Sequence, residues 1–114
     1  MIYSPFDIVI VPFPFTDSGK IKRRPAVVLS SQDNFNEVVA HTVLAMITSA
    51  RNEPWALDVS IQDLKRAGLL KPSVIRMKIF TIDNRLIFDK IGDLGTKDRR
   101  VIRQNIETLF EDLV

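Results

Sequence analysis

Apolar residues fall in short runs along most of the chain, and polar stretches or helix breakers separate these runs. Short runs that are rich in Ile, Val and Phe are typical of β-strands. The predicted strands cover residues 7–15, 26–30, 38–47, 56–60, 73–82 and 86–91. Pro12 and Pro14 cannot donate a ladder hydrogen bond, so we expect the first strand to end at a sheet edge or to leave the sheet there.

The polar stretches predict how the strands are connected. Residues 16–24 are polar and cationic and contain a glycine, which predicts a loop. Residues 61–67 predict one or two helical turns that Gly68 stops. The sequence Asp-Asn-Arg at 83–85 predicts a hairpin turn that pairs the last two strands.

A helical period replaces the strand pattern after Gly92. The apolar residues that share one helical face are Ile102, Ile106, Leu109, Phe110 and Leu113. This spacing predicts an amphipathic helix of about four turns, with Thr96 as its N-cap and Asp98 near its positive end. Several short strands and one closing helix, without βα alternation, predict a mainly β fold with helices: a small, partly closed antiparallel barrel.

Composition narrows the classes of function. The chain has 114 residues and a formal net charge of +2, so we expect one domain over residues 1–114, and the charge alone does not indicate nucleic-acid binding. The absence of cysteine excludes disulfides, zinc ribbons and thiolate catalysis, and the single His41 excludes a multi-histidine metal site. The longest apolar or proline run, residues 8–15, is too short to span a membrane. Because the N-terminus also lacks a secretory signal pattern, we expect a cytoplasmic protein.

A cationic cluster precedes the second predicted strand. Its members are Lys20, Lys22, Arg23 and Arg24. Such a cluster can bind a polyanionic backbone through its phosphates, although a solvated loop that is cationic for solubility has the same pattern. Arg24 differs from its neighbours because Pro25 fixes the chain direction at the start of the strand. A guanidinium held in this way can bind phosphate through two hydrogen bonds and neutralise charge that develops during phosphoryl transfer.

Two further groups of polar residues lie on predicted strands. Thr48 and Ser49 end the third strand, where their hydroxyls either bind a phosphate oxygen or only terminate the ladder. Arg76 and Lys78 share one face of the fifth strand, where they either meet a ligand or face water. His41 precedes an apolar run and fits a strand residue better than a general base. The residues alone therefore indicate a small β-rich domain whose fixed arginines can receive a phosphate.

Six segments carry a more specific pattern. They are FDIVIVPFPFTD at 6–17, KRRPAVVLS at 22–30, AMITS at 45–49, GLLKPSVIR at 68–76, TID at 81–83 and KIGDL at 90–94. Each segment alone is a loose match, but together, in this order and at these spacings, they cover nearly the whole chain. In this combination they resemble the MazF/PemK-type toxins of bacterial toxin–antitoxin systems.

The resemblance implies a fold, an activity and partners. The fold is a small SH3-like antiparallel barrel of the CcdB/PemK-like kind with a C-terminal helix, and the active form is a homodimer. The activity is that of a ribosome-independent endoribonuclease that cuts single-stranded RNA at a short sequence, without a metal or other cofactor, and leaves a 2′,3′-cyclic phosphate. The implied partner is a MazE-like antitoxin with an acidic tail; DNA is contacted only through the antitoxin complex, and no membrane is involved.

The resemblance also implies roles for single residues. Arg24 matches the family's arginine before proline, Thr48 its strand-end threonine, and Arg76 an arginine of PemK-like members. The residues expected to hold flanking RNA phosphates are Lys20, Lys22, Arg23 and Lys78. In some members an acidic residue stands where Lys78 stands here, and the first loop lacks the His or Glu of other members, so the sequence assigns no general acid or base.

Other functions remain compatible with the sequence. Trp55 and Phe13 either stack on an unpaired RNA base or belong to the core or a dimer interface. The alternatives to a nuclease are a non-catalytic SH3-like module that binds nucleic acid or peptide, and a gyrase-directed toxin.

Overall fold

One antiparallel sheet organises the protein, of which the computed structural model describes residues 1–13 and 22–113. Its strands are β1 (Asp7–Phe13), β2 (Lys22–Val28), β3 (His41–Ser49), β4 (Val59–Ser60), β5 (Ser73–Asp83) and β6 (Asp89–Asp93). The helices are α1 (Glu37–Val39), α2 (Leu64–Ala67) and α3 (Thr96–Leu109), with single helical turns at Gln32–Asn36, Asn84–Leu86 and Glu111–Leu113. The strand order is β4-β5-β3-β2-β1-β6, and the sheet curls into a half-barrel. The predicted mainly β fold with a C-terminal helix is confirmed.

The two faces of the sheet belong to two separate hydrophobic clusters, because side chains alternate along each strand. The face that we call the helix face packs against α2 and α3; its buried residues include Ile8, Val27, Ala45, Ile47, Ile75 and, from α3, Ile102. The other face, which we call the opposite face, includes Val9, Val11, Phe13, Ala26, Val28 and Leu44. Strands buried on both faces explain the near-continuous apolar runs of the sequence.

The predicted hairpin at 83–85 is wrong. β6 pairs with β1 at one edge of the sheet, whereas β5 lies between β4 and β3. The reason is that the side chain of Asn84 is tied to other parts of the chain: it accepts from Thr42 Oγ1 at 2.6 Å and donates to the Asn36 carbonyl at 2.8 Å. The chain therefore turns over the start of β3 and crosses to β1, where Phe88 N donates to the Ile10 carbonyl at 2.9 Å.

Several strand boundaries differ from those predicted. β2 begins at Lys22, so the end of the predicted loop is strand and pairs with β1. β3 begins at His41, because the preceding two valines form α1 and Ala40 ends that turn in the left-handed region, at φ 57°. β4 is limited to Val59–Ser60. The remainder of the predicted first strand and first loop, residues 14–21, lies outside the described residues.

The predicted N-cap of the last helix is also wrong. α3 begins at Thr96, its N-cap is Gly95, and no side chain caps its first turn. Asp98 does lie in that first turn, but its buried carboxylate accepts from the backbone N–H groups of Gln62 at 2.9 Å and Asp63 at 3.1 Å. The carboxylate thus fastens α3 to the segment before α2, where no helix cap was foreseen. Among the described residues no helix is long and apolar enough to cross a membrane.

A close approach of α2 to β6 requires two glycines. Gly68 ends α2 in the left-handed region at φ 76°, and a Cβ there would lie 2.1 Å from the Ile91 carbonyl oxygen. A Cβ on Gly92 would lie 2.3 Å from the Arg66 carbonyl oxygen. These contacts explain physically why glycine stands in two of the family-like segments.

Candidate functional site

Strand pairing brings Arg24 and Thr48 together on the opposite face. Arg24 lies beside Val11 in β1, and both share the face of the Val11 cluster. In the next ladder Ala26 lies beside Met46, and the same register continued by two residues puts Arg24 beside Thr48. Directly opposed residues of antiparallel strands have neighbouring side chains on one face. An arginine at the start of β2 and a threonine at the end of β3 are therefore adjacent across the sheet.

The Thr48 hydroxyl is held by a side chain from the turn that follows β3. Thr48 is 4% exposed, and its Oγ1 accepts a hydrogen bond of 2.6 Å from Asn52 Nδ2. Among the described residues the hydroxyl has no acceptor for its own proton. The hydroxyl therefore remains a potential donor to a ligand on this face.

Arg76 occupies the same face one strand further along. Val74 lies opposite Thr48, and Arg76 follows two positions later on β5. The ladder is irregular here, because the three residues between Ile75 and Ile79 oppose the single Met46. Such bulges bend a strand and change the direction of its side chains, and they are common beside active sites.

The Arg76 guanidinium is buried, and an acid partner accompanies it. Arg76 is 7% exposed; its Nε and Nη2 donate to the Asp58 carboxylate at 3.2 and 3.0 Å, and Nη2 also donates to the Glu53 carbonyl at 2.8 Å. The guanidinium carbon lies 4.9 Å from the centre of the Trp55 ring, within the range of a cation–π contact. Two hydrogen bonds and a ring contact thus fix a charge that the sequence alone suggested would face a ligand or water.

The pKa of Asp58 reflects two opposing effects. Burial raises the pKa of this carboxyl, but the hydrogen bonds from Arg76 and from the Trp55 backbone, with the Arg76 charge, more than offset it. The net result is a pKa below the usual 3.8, so Asp58 is ionised at neutral pH. An ionised carboxylate is the state that holds the guanidinium.

The remaining predicted RNA-binding residues are divided between places. Lys22 is exposed and lies opposite Phe13, so it shares the face of Arg24. Arg23 alternates to the other side, where its guanidinium carbon stacks 4.0 Å from the centre of the Phe88 ring. Lys78 is half-buried and, two positions after Arg76, shares its face. Lys20 lies outside the described residues.

Two of the other sequence candidates lie away from this place. Ser49 alternates to the other side of β3 from Thr48. His41 is exposed at the far end of β3, about 23 Å along the strand from Thr48, and its Nδ1 lies 2.9 Å from the Val39 carbonyl oxygen. In residues 1–13 and 22–113 no group of three His, Asp or Glu side chains could hold a metal ion.

Sequence reasoning missed the segment that connects β3 to β4. Residues 52–54, Asn-Glu-Pro, indicated only a chain break, yet Asn52 contacts Thr48 while Asp58 and Trp55 contact Arg76. The sequence offered no periodic signal for these contacts, because they are made by loop residues whose positions depend on the strands beneath them.

A cationic cleft lies at the same end of β3 and β5. The cleft has a volume of about 360 Å³, and its lining residues are Ser49, Ala50, Arg51, Lys71 and Pro72. Within the described part of the chain neither Arg51 nor Lys71 has an ion-pair partner. The cleft therefore adds positive charge beside the turn that holds Thr48.

The curled sheet with a C-terminal helix, and a conserved-type pairing of strand-start arginine with strand-end threonine, define a class of small toxins. Residues 4–110 match the family of PemK-like, MazF-like toxins of type II toxin–antitoxin systems, and the chain belongs to this family. No curated protein sequence matches the chain significantly.

Solved structures share the fold over nearly the whole chain. The Mycobacterium tuberculosis toxin MazF-mt6 is 22% identical, with a TM-score of 0.73 over 92% of this chain and 96% of that one. A MazE-MazF crystal structure from Deinococcus radiodurans is 19% identical, with a TM-score of 0.75 over 97% and 98% of the two chains. An endoribonuclease in complex with its cognate antitoxin, from a mycobacterial species, is 14% identical, with a TM-score of 0.72 over 96% and 94%. At these identities the likeness concerns the fold.

Proposed function

We propose that this toxin is an endoribonuclease that cuts single-stranded RNA at a short sequence, independently of ribosomes and of metal ions, and so inhibits translation and growth. The observation that carries the proposal is the adjacency of Arg24 and Thr48 on the opposite face of the sheet. A guanidinium and a hydroxyl side by side form a donor pair of the kind that binds a phosphodiester.

Attack by the ribose 2′-hydroxyl on the adjacent phosphorus needs stabilisation of the negative charge that accumulates on the phosphate. Arg24 is partly exposed and has no ion-pair partner among the described residues, so its donors are available to the non-bridging oxygens. Arginine keeps its proton at neutral pH, so Arg24 acts as an electrostatic stabiliser and not as a base. The P–O bond to the 5′-oxygen breaks, which leaves a 2′,3′-cyclic phosphate and a 5′-hydroxyl.

Thr48 and Arg76 complete the proposed catalytic group. The Thr48 hydroxyl donates to a non-bridging oxygen or orients the 2′-hydroxyl. Arg76 neutralises the phosphate from the side of β5, and its Asp58 partner keeps the guanidinium in one place while it does so. Positioned donors of this kind are worth about 3 kcal/mol each in a transition state.

The RNA strand on either side of the cut needs further cations. Lys22 and Lys78 share the face of Arg24, and we assign the flanking phosphates to them together with Lys20 and Arg23. RNA contacts of this kind add affinity without reading sequence.

We also propose the assembly expected for this family: a single domain that acts as a homodimer in the cytoplasm. The antitoxin would be a MazE-like protein whose acidic tail covers the cationic face and excludes RNA by charge. DNA would be bound only by the antitoxin complex. Structural neighbours described as MazE-MazF and as an endoribonuclease with its cognate antitoxin support this partner.

The test is cleavage of a long single-stranded RNA by purified protein in EDTA, with the new 5′ ends mapped. We expect discrete cuts by the wild type, and single-turnover rates at least tenfold lower for Arg24→Ala and Thr48→Ala, since each removes a transition-state donor. The matched control is Arg100→Ala, an exposed arginine on α3, which should cut at the wild-type rate. Circular dichroism checks that all variants keep the fold.

Other outcomes point to the other functions. A DNA oligonucleotide of the same sequence lacks the 2′-hydroxyl and should bind without being cut. Intact RNA with a shifted gel band would indicate a binding module, and intact RNA with inhibited supercoiling would indicate a gyrase-directed toxin. Wild-type rates in Arg24→Ala or Thr48→Ala would remove that residue from the mechanism.

A further inference from the structure

The turn after β3 is held in one conformation by its own backbone. Ala50 N donates to the Pro72 carbonyl at 3.1 Å, which ties the turn to the strand start of β5. Arg51 N donates to Ser49 Oγ at 3.2 Å, and Asn52 N donates to the Ser49 carbonyl at 3.1 Å. The position of the Asn52 side chain therefore follows from the end of the sheet, although the residue itself is exposed.

This side chain meets one group only among the described residues, the Thr48 hydroxyl. Its Nδ2 donates to Thr48 Oγ1 at 2.6 Å. A threonine hydroxyl has one proton and rotates about its C–O bond, so an accepted hydrogen bond restricts where that proton can point. With Asn52 on the acceptor side, the Thr48 proton is directed away from the turn, and no described residue accepts it.

We propose that Asn52 is a positioning residue for cleavage: it orients the Thr48 hydroxyl so that its proton is presented to the scissile phosphate. The inference rests on the proposed nuclease function, and adds a residue to it that does not itself touch the substrate. An accepted bond from an amide also polarises the hydroxyl, which strengthens its donation to an oxygen that gains charge in the transition state.

The position of Asn52 suits this role better than a purely structural one. The turn has three backbone hydrogen bonds that do not use the Asn52 side chain, so the turn persists without it. The energetic effect of the amide is therefore concentrated on Thr48. This predicts that Asn52 matters only while the Thr48 hydroxyl is present.

The experiment is a double-mutant cycle on single-turnover cleavage of one short RNA. Asn52→Ala should lower the rate at saturating RNA about fivefold, with the half-saturating RNA concentration within about twofold of the wild type. In the background of Thr48→Val, which keeps the side-chain shape and removes the hydroxyl, Asn52→Ala should have no further effect. Asn34→Ala is the matched control, because Asn34 is an exposed turn asparagine beyond the other end of β3.

Each outcome separates this inference from the function on which it rests. A wild type that leaves RNA intact overturns both. Wild-type cleavage with an Asn52→Ala rate within twofold overturns the positioning role alone. An Asn52→Ala effect that is equally large in the Thr48→Val background also overturns it, since a general loss of structure would act without the hydroxyl. Equal melting temperatures of the wild type and Asn52→Ala support the inference when the rate has fallen, and a melting temperature that falls with the rate contradicts it.

Discussion

The helix face and the opposite face of the sheet are both apolar at their centres, but they end differently. On the helix face, aliphatic side chains are sealed by α3 through Ile102, which is fully buried. On the opposite face, the apolar cluster gives way at one end to Arg24, Thr48 and Arg76. The difference shows a division of roles: one face stabilises the fold by burial, and the end of the other holds polar groups by hydrogen bonds from a loop.

Within the opposite face the two arginines also differ. Arg76 is buried and its charge is matched by Asp58, whereas Arg24 is partly exposed and has no ion-pair partner among the described residues. A buried charge without a partner would destabilise the fold, so Arg76 requires Asp58 in a way that Arg24 does not require a counter-charge. The unpaired arginine is the one better placed to receive a new anion.

The largest expected effect comes from breaking the helix face. Ile102→Ala should lower the free energy of unfolding by about 3 kcal/mol, because it removes a fully buried side chain between α3 and the sheet and leaves a cavity. Urea unfolding followed by circular dichroism measures the loss. Its neighbour Val101, which is exposed, provides the control Val101→Ala with little change. Cleavage per folded molecule should be retained; a loss of activity without a loss of stability would contradict the division between the faces.

A smaller effect should follow on the opposite face from Asp58→Asn. The change leaves the buried Arg76 with a neutral partner, so we expect a loss of about 2 kcal/mol at pH 7. The pKa of Asp58 is lowered in the folded protein, so its stabilisation is complete above its ordinary value of 3.8 and is lost as pH falls through the lower folded value. The difference between the wild type and Asp58→Asn should therefore shrink on acidification, and urea midpoints at pH 7 and below pH 3 measure it.

The control for Asp58 is an ion pair of the same chemistry at the surface. Asp83 pairs with the exposed Arg85 at 2.8 Å, and the pKa of Asp83 is lowered to about 2, first by the hydrogen bond from Arg85. Solvent screens this pair, so Asp83→Asn should leave the urea midpoint at pH 7 nearly unchanged. A loss for Asp58→Asn that is no larger than that for Asp83→Asn, or that is the same at both pH values, would show that the Arg76 pair is not stabilising.

The smallest effect tests how far the cationic end of the opposite face extends. If the cleft beside Arg51 and Lys71 holds one or two flanking phosphates, the double variant Arg51→Ala/Lys71→Ala should bind an uncleavable 2′-deoxy analogue of the RNA about fivefold more weakly. The slope of log Kd against log salt should fall by about 1.4 in magnitude, because two phosphate contacts are lost. The double variant Lys97→Ala/Arg100→Ala on exposed positions of α3 is the control. An unchanged slope would limit the RNA surface to the sheet itself.

Much of the fold followed from local patterns. The strands of both faces were predicted because their apolar runs reflect burial, and α3 was predicted because its apolar residues repeat at the helical period. The hairpin at 83–85 was not predictable, since the choice between a hairpin and a crossing segment depends on the distant partners of Asn84. Residues 83–85 have the composition of a turn in either case.

The sequence by itself determined the family-like segments, the mainly β class and the placement of Arg24, Thr48 and Arg76 at strand ends or on one strand face, because these depend on residue order and on a period of two. Only the tertiary structure decided that Arg24 lies beside Thr48, since register between separate strands sets that distance. Only the tertiary structure paired Arg76 with Asp58 and Thr48 with Asn52, because a loop has no periodic pattern and its side chains meet those of the sheet only after the sheet has folded.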